Sequence, residues 1–182
     1  MLEHFRPDII VPRLELLDQD ELARRGIRGI ILDLDNTVCA WRSREPGPEC
    51  RAWIQRAKQR FALCLLSNTI RSRRLKVVGE GLGVPALARC GLGRKPYPEG
   101  YRCAMRLLGT TPEQTAMVGD QLMTDIRGAN RLGLTTVWSL PLSAHEFCWT
   151  KLMRRLERRI VRRLGIDLSP YQATTPPEGA QT

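Results

Sequence analysis

Two acidic residues, Asp33 and Asp35, close an apolar run in the stretch Gly29-Ile30-Ile31-Leu32-Asp33-Leu34-Asp35-Asn36-Thr37. In an extended strand Leu32 and Leu34 point to one face, Asp33 and Asp35 to the other. Two carboxylates at the tip of a buried strand repel each other and are costly to desolvate. A divalent cation resolves both problems. Polar residues recur where other apolar runs stop: Ser67 after 61–66 and Asp120 after 115–118, with Lys95 in the loop 91–96. In an open parallel sheet the carboxyl ends of strands share one edge, where ligands bind. Carboxylates with water suit Mg²⁺. A lysine and a hydroxyl beside that ion hold an anion, a set suited to phosphoryl transfer. Plainer readings stand beside these. Asp33 and Asp35 could cap a loop, though that leaves the apolar run unexplained. Ser67 could be a turn residue, Lys95 a solvated loop lysine, and Asp125 an acid favoured near a helix N-terminus.

The elements that must position these groups alternate in type. The first strand is expected over about 27–35, after a lead-in broken by Pro7 and Pro12, with a short helix capped by Asp18 or Asp20 and stopped by Gly26. A helix over 49–60 presents Trp53, Ile54 and Ala57 on one face. Strand-type runs follow at 61–66, 87–90, 115–118 and 135–138, separated by a basic helix over 71–80, a helix over 98–108 stopped by Gly109, and helical residues 121–132 before Gly133. Strands alternating with helices predict a parallel α/β sheet with right-handed crossovers.

On these residues the chain resembles the haloacid dehalogenase (HAD) superfamily of phosphohydrolases. Asp33-Leu34-Asp35-Asn36-Thr37 matches its DxDx(T/V) motif, Ser67 its second motif, Lys95-Pro96 its third, and Gly119-Asp120-Gln121-Leu122-Met123-Thr124-Asp125 the GDxxxxD form of its fourth. The resemblance covers about 27–140 and implies a HAD-like Rossmannoid three-layer α/β/α fold with a parallel central sheet of about five strands. It also implies roles. Asp33 would be the nucleophile, forming an aspartyl-phosphate. Asp35 would be the general acid and then the base that activates water. Mg²⁺ would be held by the Asp33 carboxylate, the Asp35 backbone carbonyl and Asp120. Ser67, Asn68 and Lys95 would bind the phosphoryl oxygens. Asp125 would orient Lys95 or a metal-bound water from the outer shell, and Thr37, with Asn36, would shape the loop.

HAD enzymes for small metabolites usually carry a cap domain over the site. Here the interval from Thr37 to Ser67 holds one loop and one helix, and later intervals are as short, so no cap domain is expected. An open site admits a large substrate: a protein, a nucleic-acid end or a lipid head group. The finer pattern, including Gly-Arg-Lys-Pro and a basic Arg-Arg-Leu-Glu-Arg-Arg tail, resembles the YqeG-type capless HAD phosphatases. That subfamily is similar to the mitochondrial and plastid phosphatidylglycerophosphate phosphatases. The resemblance implies phosphatidylglycerophosphate as substrate. A phosphatase for nucleic-acid ends or phosphoproteins, or an RNA- or ribosome-binding protein on a HAD scaffold, remain alternatives. The intact acids Asp33, Asp35 and Asp120 speak against a pure binder.

The bulk of the chain sets limits. Its 182 residues suit one domain, and a formal charge of +10 predicts attraction to nucleic acid, ribosome or an anionic membrane. We expect a core over 1–143 with lead-in 1–26, a basic amphipathic helix over 144–165, and a disordered tail over 166–182. In that helix the apolar residues 152, 153, 156, 160, 161 and 164 form one arc, and nearly all the rest is Arg and Lys. The arc could pack on the domain, or the helix could lie on anionic lipid. The N-terminus lacks a signal-peptide core, so the expected location is cytoplasmic, with the membrane's inner face as a peripheral seat. Six cysteines without a Cys-x-x-Cys pair predict reduced, non-ligand thiols.

Overall fold

The structure is a computed structural model and describes residues 2–41, 43–69, 72–88, 94–142 and 148–172. Strands and helices alternate along the chain: β1 (Ile9–Val11), α1 (Gln19–Arg24), β2 (Gly29–Leu32), α2 (Pro48–Ala57), β3 (Ala62–Leu66), α3 (Ser72–Leu82), β4 (Ala86–Leu87), α4 (Pro98–Leu108), β5 (Thr115–Gly119), α5 (Arg127–Asn130), β6 (Thr135–Ser139), α6 (Cys148–Arg163) and α7 (Ser169–Gln172). The strands form one sheet in the order β1-β6-β5-β2-β3-β4, with every pairing parallel.

Both faces of this sheet are covered, which is why its central strands are apolar throughout rather than alternating. Ile30, Leu32, Leu63, Leu65, Ala116 and Val118 join the core cluster that holds Trp53 and Ile54 of α2 and Leu75 and Val78 of α3. Ile31, Cys64, Leu66 and Met117 face the other way, onto Tyr101, Ala104 and Met105 of α4 and Ala129 of α5. The result is a three-layer α/β/α arrangement. Among the described residues no strand or helix but α2 lies between β2 and β3.

The sheet has six strands, one more than expected. The extra strand, β1, comes from the lead-in, where a three-residue run between Pro7 and Pro12 carries no readable period. It lies at the sheet edge, where flanking prolines cost no ladder bond. Asp8 fixes it: its Oδ2 accepts from the Thr136 backbone N–H at 2.7 Å and the Thr136 hydroxyl at 2.9 Å. In α1, Asp18 is the N-cap, accepting from the Asp20 N–H at 2.8 Å. The strand expected over 87–90 is β4, which starts one residue earlier; residues 89–93 lie outside those described.

Strand β2 stops at Leu32, short of the expected end. Asp33 still donates its N–H to Val118 O at 2.9 Å, but the chain then turns back. The Leu34 carbonyl accepts from Val38 and Cys39, and Asn36 takes a left-handed φ of 62°. Asn tolerates that region better than most residues.

The last helices correct two expectations. Ile160 and Val161 of α6 and Leu164 just after it are buried. Val161 packs with Leu122, Ile126 and Trp138 in a third apolar cluster. Glu157, expected among the solvated arginines, is instead 3% exposed and accepts from the Met123 N–H at 3.3 Å. The side chains of residues 152 and 153, in the expected apolar arc, lie outside those described. Residues 166–172, expected to belong to a disordered tail, are structured. Ile166 and Leu168 pack against the same cluster, and a turn of helix follows at Ser169–Gln172; residues 173–182 lie outside those described. The cysteine expectation is also corrected, because Cys103 is disulfide-bonded. Cys39, Cys50 and Cys64 are free and buried. No helix among the described residues is long and apolar enough to cross a membrane.

The packing of α6 is testable by a pair of substitutions. Val161→Asp places a charge in the third cluster and should cost about 3 kcal/mol or more, a fall of roughly 6–12 °C in Tm. Leu156→Asp, at a position 38% exposed, should change Tm little. Equal Tm values for the two variants in a thermal melt would contradict the packing.

Candidate active site

Strand register brings the acidic residues to one edge. Leu32 pairs with Leu65 on one side and Val118 on the other. Asp33 therefore emerges one step past Leu32, Ser67 two past Leu65, and Asp120 two past Val118. Asp125 returns to this edge on a wide helical turn, Leu122–Ile126, that follows β5. The carboxylates of Asp33, Asp120 and Asp125 offer oxygens within 4.8 Å of one another, and all three residues are buried.

Lys95 lies among them. Its Nζ is 2.5 Å from Asp33 Oδ1 and 2.8 Å from Asp125 Oδ1, with the lysine side chain 2% exposed. Asn68 fixes the lysine's backbone. Its Nδ2 donates to Lys95 O and its Oδ1 accepts from Lys95 N, each at 2.8 Å. The family pattern places Asn68 among the phosphoryl-binding groups. Both ends of its amide are engaged on the Lys95 backbone, and the second Nδ2 hydrogen is left to donate. The Lys95–Pro96 peptide is cis.

Two further residues seat Asp125. A Cβ at Gly119 would collide with the Asp125 carboxylate, so only glycine leaves room there. The Tyr101 hydroxyl, buried in α4, donates to Thr124 O at 2.6 Å and holds the turn against the helix. Gly128 opposite leaves room for that hydroxyl, into which a Cβ would run. Asp125 Oδ2 also accepts from the Gln121 N–H at 3.1 Å, closing the turn on itself.

Asp35 belongs to the same edge, but its side chain turns elsewhere. Arg74 of α3 places Nη1 2.6 Å from Asp35 Oδ1, where the aspartate side chain is 29% exposed. Thr37 is fully buried, and its hydroxyl has no hydrogen-bond partner among the described residues. Ser67 is 3% exposed, and its Oγ accepts from the Thr69 N–H at 3.1 Å, leaving its own proton to donate.

The electrostatics are those of an under-compensated cluster. Burial pushes the Asp33 carboxyl up to about 7, against the pull of Lys95; Asp125 and Asp35 add to the push. Burial alone would lower Lys95, but Asp125 and Asp33 outweigh it and hold the ammonium above the ordinary lysine range. Burial, then Asp125 and Asp33, raise Tyr101, which keeps its hydroxyl a donor. Were all three carboxylates ionised, the one ammonium would leave two negative charges in a desolvated site. An all-oxygen set with that balance fits a hard divalent cation.

Arg74 and Tyr101 carry no readable signal of their role in the sequence. Arg74 is one of several basic residues in α3. Tyr101 shares the buried face of α4 with Ala104 and Met105 and reads as core.

Comparison with known proteins agrees with this geometry. A family model described as HAD-hydrolase-like matches residues 92–140. The chain is 31% identical over 160 residues to the probable phosphatase YqeG of Bacillus subtilis, covering 88% of this chain and 91% of that protein. It is 31% identical over 168 residues to phosphatidylglycerophosphate phosphatase 1, chloroplastic/mitochondrial, of Arabidopsis thaliana. That match takes 86% of this chain but 47% of the plant protein, so the chain spans about half the plant relative's length. In fold it is similar to a predicted HAD-like family hydrolase from Porphyromonas gingivalis, with a TM-score of 0.51 at 16% identity over 73% of this chain and 98% of the other.

The charge imbalance has a pH signature. Because the folded pKa of Asp33 is raised above its ordinary value, the folded state holds a proton that the unfolded state has lost. Stability therefore falls as pH rises from about 4 through about 7. In chelator, Asp33→Asn should melt higher than wild type at pH 8, and the gap should shrink at pH 5. Adding a divalent cation at pH 8 should raise the wild-type Tm more than that of Asp33→Asn. A gap independent of pH would contradict the assigned burial of charge.

Proposed function

Because the chain belongs to the HAD phosphatase superfamily, in its YqeG-type branch, we propose that it hydrolyses a phosphomonoester at the Asp33 end of the sheet and that the substrate is phosphatidylglycerophosphate. The observation that carries the chemistry is the buried cluster of Asp33, Asp120 and Asp125 compensated only in part by Lys95. The residues fit Mg²⁺, which the carboxylates of Asp33 and Asp120 and the Asp35 backbone carbonyl would hold, with Asp125 as the neighbouring acid in the outer shell. When bound, the ion draws charge from the phosphoryl oxygens and offsets their repulsion by Asp33.

Asp33 attacks phosphorus through a carboxylate oxygen as the ester oxygen leaves in line, giving an aspartyl-phosphate. Asp35 gives its proton to the leaving oxygen, then takes one from the water that attacks the same phosphorus. The second step releases inorganic phosphate and regenerates the Asp33 carboxylate. Lys95 has one N–H beyond its two carboxylate contacts, and this with the Ser67 hydroxyl holds the phosphoryl oxygens.

The substrate reading has separate support. The plant relative is named for phosphatidylglycerophosphate, and no cap domain separates the site from a large substrate among the described residues. Arg155, Arg158, Arg159, Arg162 and Arg163 are exposed on α6. They suit a peripheral seat on the anionic cytoplasmic face of a membrane, with the buried half of the helix staying on the core.

With Mg²⁺ the protein should release phosphate from p-nitrophenyl phosphate, and EDTA should abolish the activity. Asp33→Asn should lower kcat by roughly 10³-fold or more, as for other lost nucleophiles; undiminished turnover would contradict the mechanism. In competition, phosphatidylglycerophosphate should be consumed ahead of an RNA with a terminal phosphate and a phosphopeptide. A preference for either of the others would replace the lipid reading while keeping the chemistry.

A further inference from the structure

Arg74 does more than pair with an acid. Its side chain is 11% exposed and its contacts are spread over two segments. Nε donates to Ser43 O at 2.7 Å, in the loop that follows the Asp33–Thr37 turn, and Nη1 meets Asp35 Oδ1 at 2.6 Å. The other terminal nitrogen, Nη2, is buried and has no hydrogen-bond partner among the described residues. A guanidinium is a rigid planar fork, so fixing Nε and Nη1 fixes where Nη2 lies. Leaving a charged donor desolvated and unmade is costly, and such a donor usually marks a missing acceptor.

The place of that acceptor follows from the chemistry. It rests on the reading above, in which Asp35 protonates the leaving oxygen. A group that does so must lie within hydrogen-bond reach of it. Whatever borders the Asp35 carboxylate therefore borders the leaving group rather than the transferred phosphoryl. Lys95 and the carboxylate cluster serve the transferred group; Arg74 stands on the opposite side of the scissile bond. We propose that Arg74 is a specificity-determining residue whose Nη2 takes an anionic oxygen on the leaving group, selecting esters whose alcohol carries its own phosphodiester. Opening Nη2 to that oxygen requires the Ser43 contact to loosen, while Nη1 retains its contact with Asp35 Oδ1. An arginine suits the task because it can hold the acid and the anion on adjacent nitrogens. A lysine offers one point of charge.

The test compares two soluble substrates without acyl chains. Glycerophosphoglycerol phosphate has a leaving group with a phosphodiester, and sn-glycerol 3-phosphate has a neutral one. The full-length wild type should favour the first in kcat/KM. Arg74→Gln should lower turnover of both, since Asp35 loses its partner. It should also reduce the ratio between them by roughly tenfold or more, chiefly through KM for the first. Arg74→Lys should recover part of the ratio. A fall by one common factor for both substrates would overturn the proposal and leave Arg74 a support for Asp35. Should Arg74→Gln fail to fold, the wild type decides: methylating the phosphodiester to a neutral triester should cost a similar factor, and no loss overturns the proposal. Turnover of both esters with no preference overturns it while sparing the phosphatase reading. Turnover of no phosphomonoester removes both.

Discussion

The structure depends on the ammonium of Lys95, held between the buried carboxylates of Asp33 and Asp125. Without it three desolvated carboxylates this close would repel one another more strongly, because repulsion between like charges grows as the dielectric falls. Much of the surrounding sequence serves that one contact. Asn68 clasps the lysine's backbone from the end of β3, Gly119 gives Asp125 space, and Tyr101 pins the turn on which Asp125 sits. The compensation is incomplete, and under the proposed function the residual negative charge is what a divalent cation would offset. A site neutralised by protein alone would have no reason to recruit a cation, whereas one with residual negative charge stores part of the binding energy for it.

The sheet makes this possible with little machinery. Three adjacent parallel strands, β5, β2 and β3, end at nearly the same level, so residues from distant parts of the chain converge without long side chains. The helices on both faces carry the burden of burial and leave the carboxyl edge to chemistry. α6 joins this edge from outside. Glu157 accepts a backbone N–H from the turn that carries Asp125, and Val161 packs beneath it. The basic surface of the helix is thus fixed relative to the site, so a surface that binds the arginines also orients the open edge.

Much of this was legible in the sequence because it was carried by type and spacing. Apolar runs ending in Asp33, Ser67 and Asp120 mark β2, β3 and β5. Gly109 caps α4 with the positive φ that glycine accepts, whereas Gly133, also at positive φ, lies beyond the end of α5 at Asn130. What was not legible depends on tertiary contact. β1 is three residues long and exists because β6 offers it a ladder. Asn68 reads in the sequence as a ligand for phosphate, and only its two hydrogen bonds to Lys95 give it another task. Arg74 is indistinguishable from its basic neighbours, since only the fold brings one of them to Asp35. The amphipathic pattern of α6 fits both packing and lipid, and the position of Glu157 on the buried side cannot be read from a period in which it is the lone acid.

On the proposed mechanism Asp33 takes the phosphoryl group in a site built around Lys95, and trapping the covalent intermediate tests this most directly. Wild-type protein would be mixed with Mg²⁺ and a phosphomonoester, quenched in acid within the first turnover, reduced with borohydride and digested for mass spectrometry. The expected result is homoserine in place of aspartate at residue 33, from reduction of the acyl-phosphate, and at no other residue. Unmodified Asp33 during steady turnover, or reduction at Asp35, Asp120 or Asp125 instead, would contradict it.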